Sequence, residues 1–344
     1  MQPHKLSIAC VLILFLSTPA PSKILFVSTR DGKSEIYVMN DDGSQVRRLT
    51  NDPLYNTSPR WSPDGRTIAF DVDLHSAGAG KGQQYDLFIM NADGSNQRNL
   101  TQHHPALDIK PSWSPDGHRL AFVSTRTQNG RREIFMMDIA SGKVEQLTDS
   151  AKVDGYATNP SWSPDGKHIA YELAMAGKGR DIYIMNADGK YARPFLKWRI
   201  QPVEKNNLFV KYAPRWSPDG RWILYIVREH RPDLKPVFDR LAVFRSDGSN
   251  PEPVAIPRGW EINSACWAAD GTEILFTAKE EGLIKPGGNY EIYRYNRFSA
   301  KITNLTNHPR NDYVSDWLSG NLSVASVEKL SILWGAIKQE NSPE

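Results

Sequence analysis

The chain has 344 residues, with 42 lysines and arginines against 39 aspartates and glutamates, and a hydrophobic content of 40%. The net charge of +3 is small and the basic residues form no stripe, which argues against nucleic-acid binding. The apolar content is too high for a disordered chain and is enough to bury a sizeable core. These numbers favour a globular protein.

The first residues predict an export signal. His4 and Lys5 precede an apolar run from Ile8 to Leu16, and small residues follow up to Ser22. We expect a signal peptide over 1–22, with cleavage after Ser22, and a periplasmic or secreted protein. The apolar run is too short to cross a bilayer, so no transmembrane span is expected. Of the two cysteines, only Cys266 would then remain, which excludes an internal disulfide.

One phrase, Trp-Ser-Pro-Asp-Gly, recurs along the chain. It begins at Trp61, Trp113, Trp162 and Trp216, and altered copies begin at Trp267 and Trp317. The copies are 49 to 54 residues apart. A fixed period of this size indicates a solenoid or a propeller, so the chain is predicted to hold six repeats.

Each repeat reads as four short strands. In the repeat at Trp61, the turn Ser62 to Gly65 has the preferences of a type I turn and leads into the apolar run Ile68 to Phe70. A third strand around Phe88 and a second turn, Asn91 to Gly94, complete the pattern. Six such sheets bury both faces by stacking radially, which predicts an all-β, six-bladed propeller of four-stranded antiparallel blades over residues 23–320. The tryptophans are expected to fill the space between blades.

The two ends of the repeat region complement each other. Ile24 to Ser28 resembles a second strand without a first strand before it, whereas Val314 to Trp317 resembles a first strand alone. We therefore expect these segments to pair and close the ring. Residues 321–344 form a C-terminal tail with no assigned function.

The loops differ between the two faces of the predicted propeller. The turns after the first and third strands are short and uniform, whereas the other loops are long and dissimilar, and such loops on a rigid scaffold usually carry binding. Aromatic and polar residues precede the repeated tryptophan and would surround the channel mouth. The candidate partner-binding residues are Tyr55, Asn56, Asp108, Lys110, Tyr156, Asn159, Lys211, Tyr212, Trp260, Glu261, Asn263, Asp312 and Tyr313. The alternative is that the tyrosines only cap the packing of the blades.

The sequence shows little sign of catalysis. A metal site would need several of His75, His103, His104, His230 and His308 to converge from different repeats, and no metal-ligand spacing supports it. No Gly-x-Ser-x-Gly pattern marks a nucleophile. The aspartates of the Asp-Gly pairs belong to tight turns rather than to calcium loops. We therefore assign no catalytic residue, metal ligand or cofactor.

The repeated phrases Pro-Ser-Trp-Ser-Pro-Asp-Gly and Ile-Tyr-Ile-Met-Asn-Ala-Asp-Gly, with Leu-Thr after them, resemble the repeat of TolB-type propellers from Ile24 to Trp317. The resemblance implies a six-bladed propeller that binds an envelope protein through its channel-side face. It begins at the propeller, so we expect no α/β domain ahead of it, and a place in a Tol-Pal system is not implied. The repeat also resembles the propellers of prolyl-oligopeptidase-like enzymes and oligogalacturonate lyases.

The hypothesis from these patterns is an exported, non-enzymatic scaffold that holds a protein or peptide in the cell envelope through its long-loop face. A glycan is a further possible ligand, and a monomer is expected because closed propellers have few free strand edges. Two alternatives stay open. One is a carbohydrate-active or metal-dependent enzyme that uses the same channel mouth, and the other is a spacer without a ligand.

Overall fold

A computed structural model describes residues 22–75, 84–102, 106–176, 178–196, 208–230, 238–280 and 289–319. Over these ranges the chain forms 23 strands and one short 3-10 helix, Ser150–Val153. The prediction of an all-β fold is confirmed. The expected signal peptide, apart from its last residue, and the expected tail at 321–344 lie outside the described residues.

The first half of the described chain contains the strands of three repeats. In chain order they are β1 (Lys23–Ser28), β2 (Glu35–Asn40), β3 (Arg47–Arg48), β4 (Tyr55–Trp61), β5 (Thr67–Asp73), β6 (Tyr85–Asn91), β7 (Arg98–Asn99), β8 (Asp108–Trp113), β9 (Arg119–Ser124), β10 (Glu133–Asp138) and β11 (Val144–Gln146).

The second half contains the rest. The strands are β12 (Gly155–Trp162), β13 (His168–Met175), β14 (Gly179–Asn186), β15 (Arg193–Pro194), β16 (Leu208–Trp216), β17 (Trp222–His230), β18 (Phe238–Arg245), β19 (Glu261–Trp267), β20 (Glu273–Lys279), β21 (Glu291–Asn296), β22 (Ile302–Asn304) and β23 (Asp312–Leu318).

The strands form antiparallel sheets that follow the repeat. Four sheets have four strands each, in the orders β23-β1-β2-β3, β4-β5-β6-β7, β8-β9-β10-β11 and β19-β20-β21-β22. The short turns have the predicted chemistry: the backbone N–H of Gly65 donates to the carbonyl of Ser62, and the Ser62 hydroxyl donates to Asp64. Because these turns are tight, the first two strands of a sheet lie directly side by side.

The remaining strands depart from the four-stranded pattern. β12 to β18 form one seven-stranded sheet, because β14 and β16 meet in a parallel pair at Arg180 and Val210. The repeat of β16 to β18 has no fourth strand in the described residues, only an isolated bridge between Val243 and Glu252. Glu252 lies between Pro251 and Pro253, and prolines cannot donate the hydrogen bonds of a longer ladder.

The two ends of the repeat region pair as expected. β1 lies antiparallel to β23, with Lys23 opposite Leu318 and Ser28 opposite Asp312, and a bulge interrupts the register at Leu25 and Phe26. Ile24, Leu25 and Phe26 are fully buried, and Val314 of β23 packs in the same cluster as Ile24 and Phe26. The pairing therefore buries apolar surface as well as joining backbone groups.

The core lies between successive sheets. Trp61, Trp162 and Trp267 are buried in clusters that each combine residues of two consecutive repeats. The first strands also contact one another in sequence, from β4 through β8, β12, β16 and β19 to β23, and β23 contacts β4. The repeated tryptophan thus packs as a scaffold residue.

Candidate functional site

The first strand of each repeat carries the candidate residues, and most of these strands contain a bulge. Ser58, Lys110, Asn159 and Ala213 stand three residues before their tryptophans and have φ between 50° and 56°. The register against the neighbouring strand shifts at the same places. A bulge increases local twist and turns side chains in a new direction, so residues on either side of it face differently.

The aromatic candidates do not share one position relative to the bulge. Tyr55 and Tyr156 lie six residues before their tryptophans, whereas Tyr212 and Tyr313 lie four residues before theirs, and Trp260 lies seven before. Tyr55 is exposed and Tyr156 is half-buried, with the Arg180 guanidinium 5.6 Å from its ring centroid. The aromatic candidates therefore occupy different positions along their first strands and do not form one ring.

Several polar candidates hold the sheets together. Asp312 is fully buried and accepts two hydrogen bonds from Arg30, at 3.0 and 3.1 Å. Asp108 is likewise buried and pairs with Arg126 at 2.6 Å, although burial raises the pKa of its carboxyl. Buried pairs of this kind fix geometry, because the loss of one partner leaves the other charge uncompensated.

Lys211 and Asn56 have similar environments. The buried Lys211 ammonium lies 2.8 Å from Asp181 Oδ1. The Asn56 amide is fully buried and donates to Asp52 at 3.0 Å and to Glu35 at 3.3 Å. Both side chains are buried and bonded to other residues of the chain, so they present little surface to a partner.

Lys110 and Asn159 meet in the interior. Lys110 Nζ donates to Asn159 Oδ1 at 2.8 Å, and the Asn159 amide donates to Glu172 Oε2 at 2.7 Å. The backbone N–H of Lys110 also donates to the buried Asp71, at 3.0 Å. Burial lowers the pKa of the Lys110 ammonium. The network therefore joins the first strands β8 and β12 to the second strands β5 and β13, across three consecutive repeats.

A second group gathers around Arg228 at the opening of the long-loop face. The Arg228 guanidinium makes two hydrogen bonds with Asp239, at 2.7 and 2.8 Å, and lies 5.5 Å from the ring centroid of Tyr212. Its Nη2 atom is also 3.7 Å from Glu261 Oε1, and the Glu261 side chain is 48% exposed. The Tyr212 hydroxyl donates to the carbonyl of Ile262 at 2.9 Å.

Two further tyrosines extend this group. The Tyr290 and Tyr313 rings lie 5.3 Å apart by their centroids. Burial, and the hydrogen bond that it donates to Glu261, raise the pKa of Tyr290. We refer to Tyr212, Arg228, Glu261, Tyr290 and Tyr313 as the mouth cluster. It joins β16 and β17 to β19 and β23, and it combines aromatic area with an exposed carboxylate.

The remaining candidates lie beside the mouth cluster. Trp260 is half-buried and packs on Tyr293 at 4.7 Å and on Phe276 at 6.1 Å, by ring centroids. Asn263 is exposed at the bulge of β19. Trp260 therefore supports the β20 and β21 side of the sheet, and Asn263 offers a surface position.

The sequence hypothesis missed Arg228 and Tyr290. Arg228 is near the end of β17, the second strand of its repeat, and Tyr290 immediately precedes β21, the third strand of its repeat. The chain reaches the same face at both of these points as well as before each repeated tryptophan. Arginines also occur near the end of the second strand in two other repeats, since Arg30 and Arg126 stand two residues beyond β1 and β9, and this repetition was a usable signal.

The described residues give no support to a metal centre. Among them, no group of three or more histidine, cysteine, aspartate or glutamate side chains is arranged to hold a metal ion. His308 is engaged locally, since its backbone N–H donates to Glu291 and its Nδ1 accepts from the backbone of Arg310. His103 and His104 lie outside the described residues. No helix in the described ranges is long and apolar enough to span a membrane.

Glu291 should make stability depend on pH near neutrality. Burial raises the pKa of its carboxyl to about 7, although it accepts hydrogen bonds from Thr306 and the backbone N–H of His308. Asp312 raises the pKa further and Arg30 lowers it. Because the folded pKa exceeds the unfolded value, this contribution to stability is complete below about pH 4.5 and is lost as the pH rises through 7.

The Glu291→Gln variant mimics the protonated carboxyl at every pH. We expect the wild type to lose stability relative to Glu291→Gln between pH 5 and about pH 8, measured by urea unfolding. Exposed Glu145→Gln is the control and should follow the wild type. Parallel pH profiles for the wild type and Glu291→Gln would contradict the assignment.

The fold and the mouth cluster define a repeat protein of mainly antiparallel sheets in which three first strands and two neighbouring segments bring aromatic and charged residues together. Residues 74–285 match the family described as the TolB beta propeller domain, which is more than half of the chain. The chain therefore belongs to the TolB β-propeller family, as its repeat predicted.

Relatives share part of their length with this chain. A TolB homolog of Chlorobium luteolum is 30% identical over 159 residues, covering 36% of this chain and 35% of the relative. The Tol-Pal system protein TolB of Desulfosudis oleivorans is 33% identical over 129 residues, covering 38% of this chain and 27% of the relative. The matches thus span about a third of these relatives.

Solved structures agree on the fold. TolB from Acinetobacter baumannii superimposes with a TM-score of 0.59 at 17% identity, covering 87% of this chain and 65% of that protein. Hydrazine synthase from Kuenenia stuttgartiensis gives 0.64 at 16% identity, covering 86% and 46%. An oligogalacturonate lyase from Vibrio parahaemolyticus gives 0.54 at 14% identity, covering 82% and 74%. At these identities the likeness concerns the fold alone.

Proposed function

We propose that residues 23–320 form a closed six-bladed propeller, exported by a signal peptide at 1–22, that acts as a non-enzymatic scaffold for a protein or peptide partner in the periplasm or outside the cell. The contacts between successive first strands, including β23 with β4, support a closed ring. The relative named as a Tol-Pal system protein supports a place in the cell envelope.

The mouth cluster is the observation that carries the proposed binding role. Its three tyrosines are half-buried rather than enclosed, and Glu261 and the neighbouring Asn263 are exposed. Interfaces are enriched in tyrosine and arginine, because such side chains bring apolar area together with hydrogen-bonding groups. Asp239 already holds Arg228 in place, so the cluster is organised before a partner arrives.

The charges of the cluster favour a partner segment with basic and aromatic residues. Arg228 is balanced by Asp239, which leaves Glu261 as the exposed charge. The buried pairs around the opening, such as Arg30 with Asp312, are internally neutral. We therefore place the core of the contact on Tyr212, Tyr313 and Glu261.

A photo-crosslinking residue tests which face binds. Placed at Asn263 it reports on the long-loop face, and placed at Val46, which is 41% exposed in the turn after β2, it reports on the opposite face. In the native host, we expect crosslinks to one protein from position 263 and not from position 46, and Tyr313→Ala should reduce their yield. Equal crosslinks from both positions, or a glycan product, would overturn the proposal.

A further inference from the structure

A cavity of about 340 Å³ lies on the opposite face from the mouth cluster, between the repeat of β12 to β15 and the repeat of β16 to β18. Short turns of both repeats surround it. The residues that matter for its chemistry are Asp165, His168, Arg193, Trp216, Asp219 and Asp247.

The wall of the cavity is aromatic and its rim is acidic. The His168 and Trp216 rings are stacked with centroids 6.4 Å apart. Three carboxylates and the guanidinium of the exposed Arg193 line the cavity, and Arg221 Nε lies 3.8 Å from Asp219 Oδ2. Hydrogen bonds within the turns hold the pKa of each carboxyl below its usual range. A hydrogen bond from Ser163 lowers the pKa of Asp165, and one from Ser249 lowers the pKa of Asp247. At Asp219 burial acts to raise the pKa, but a hydrogen bond from Ser217 lowers it. The carboxylates are therefore charged at neutral pH.

The preceding interface between repeats has a similar arrangement, but strand register places Glu145 where Arg193 stands in this one. There Trp162 takes the place of Trp216, and Arg119 takes the place of His168, six residues after the tryptophan of its own repeat. The Arg119 guanidinium lies 4.9 Å from the Trp162 ring centroid, and its Nη2 is 3.8 Å from Asp116 Oδ2. Asp116 corresponds to Asp165 in the repeated turn.

Arginine also covers the tryptophan at two other interfaces. Arg294 lies 5.5 Å from the Trp317 ring centroid, and Arg297 lies 4.9 Å from that of Trp267. A guanidinium over an indole is favoured by the ring's quadrupole, and nearby carboxylates add to the attraction. Other interfaces of this chain therefore show that a guanidinium group fits beside the repeated tryptophan.

We propose that the cavity at Trp216 binds the guanidinium of an arginine in a peptide or protein segment, in the way that Arg119 occupies the interface at Trp162. The shorter His168 leaves the space that the Arg119 side chain fills in the other interface. Asp165 pairs with the bound guanidinium from the turn between β12 and β13, and Asp219 and Asp247 do so from two turns of the adjoining repeat.

The first test compares two peptides by isothermal titration calorimetry with the full chain. The probe is acetyl-Gly-Arg-Gly-amide, and its control carries citrulline, which has nearly the same shape as arginine without the charge. We expect binding of the arginine peptide with one site per chain and no detectable binding of the citrulline peptide. Equal binding of both, or none of the arginine peptide up to about 10 mM, overturns the proposal.

The second test removes the site and creates another. His168→Arg should fill the cavity with the chain's own guanidinium and abolish peptide binding, and Asp247→Asn should weaken it roughly two- to fivefold. Asp93→Asn, at the matching turn position of another repeat, is the control and should leave binding unchanged.

Arg119→His should open a second cavity at Trp162 and raise the number of bound peptides from one to two. Circular dichroism and thermal melting verify that each variant is folded. Unchanged binding in His168→Arg, or an equal loss in Asp247→Asn and Asp93→Asn, contradicts the assignment. If His168→Arg or Arg119→His fails to fold, the comparison of Asp247→Asn with Asp93→Asn still tests the proposal.

Discussion

A chain that ends at Asn311 should lose its cooperative fold. This truncation removes β23, the whole ladder to β1, the buried Val314 and the Asp312 partner of Arg30. It also uncovers the edge of β1, in which Ile24 to Ser28 are otherwise buried. We expect the loss to exceed about 5 kcal/mol, the lower end of typical domain stabilities. Thermal melting followed by circular dichroism would then show a broad transition.

The matched control for this truncation is a chain that ends at Ser319. It keeps β23 and lacks only the segment beyond the described residues. We expect the midpoint of its melting transition to stay close to that of the full chain. If both truncations melt alike, the pairing of β1 with β23 is not what holds the ends together.

Trp267→Ala should be the most damaging single substitution among the repeated tryptophans. The ring is 5% exposed and packs with residues of both adjoining repeats. Its Nε1 donates to the carbonyl of Arg215 at 3.1 Å, and Arg297 covers one face. Large-to-small changes at buried tryptophans cost about 3–5 kcal/mol, because a cavity remains.

Urea unfolding measures this cost, with two spectroscopic probes to test two-state behaviour. Trp267→Phe should cost less than Trp267→Ala, because it keeps much of the buried area. Phe298→Ala is the surface control, since Phe298 is 83% exposed, and should change stability by less than about 0.5 kcal/mol. A cost below about 1 kcal/mol for Trp267→Ala would contradict the scaffold role.

The repeat made the scaffold predictable. The turns at Ser62 to Gly65 and at its counterparts follow local rules of φ and hydrogen bonding, which each segment carries in its own sequence. The pairing of β1 with β23 followed from one missing strand and one surplus strand. The sheet of β16 to β18 was the exception, although Pro251 and Pro253 were visible signs that its fourth strand would be interrupted.

The site was harder to predict because it depends on register. The bulges at Ser58 and Asn159 shift the direction of neighbouring side chains, and the sequence spacing alone does not give that shift. Asp108 and Asp312 were expected to face a partner, but each is fully buried against an arginine from its own sheet. Which acidic side chain meets which arginine is decided by packing across strands, beyond the reach of a local pattern.

The pairing of β1 with β23 also decides how the molecule would be tethered. Lys23 lies opposite Leu318, at the strand ends that also carry the short turns. Any segment before Lys23 and any segment after Leu318 therefore leave from neighbouring points on the same side. A linker attached at either end would hold the mouth cluster away from its attachment point and keep the arginine-binding cavity on the near side. The orientation of both proposed sites relative to a tether thus follows from one strand pair.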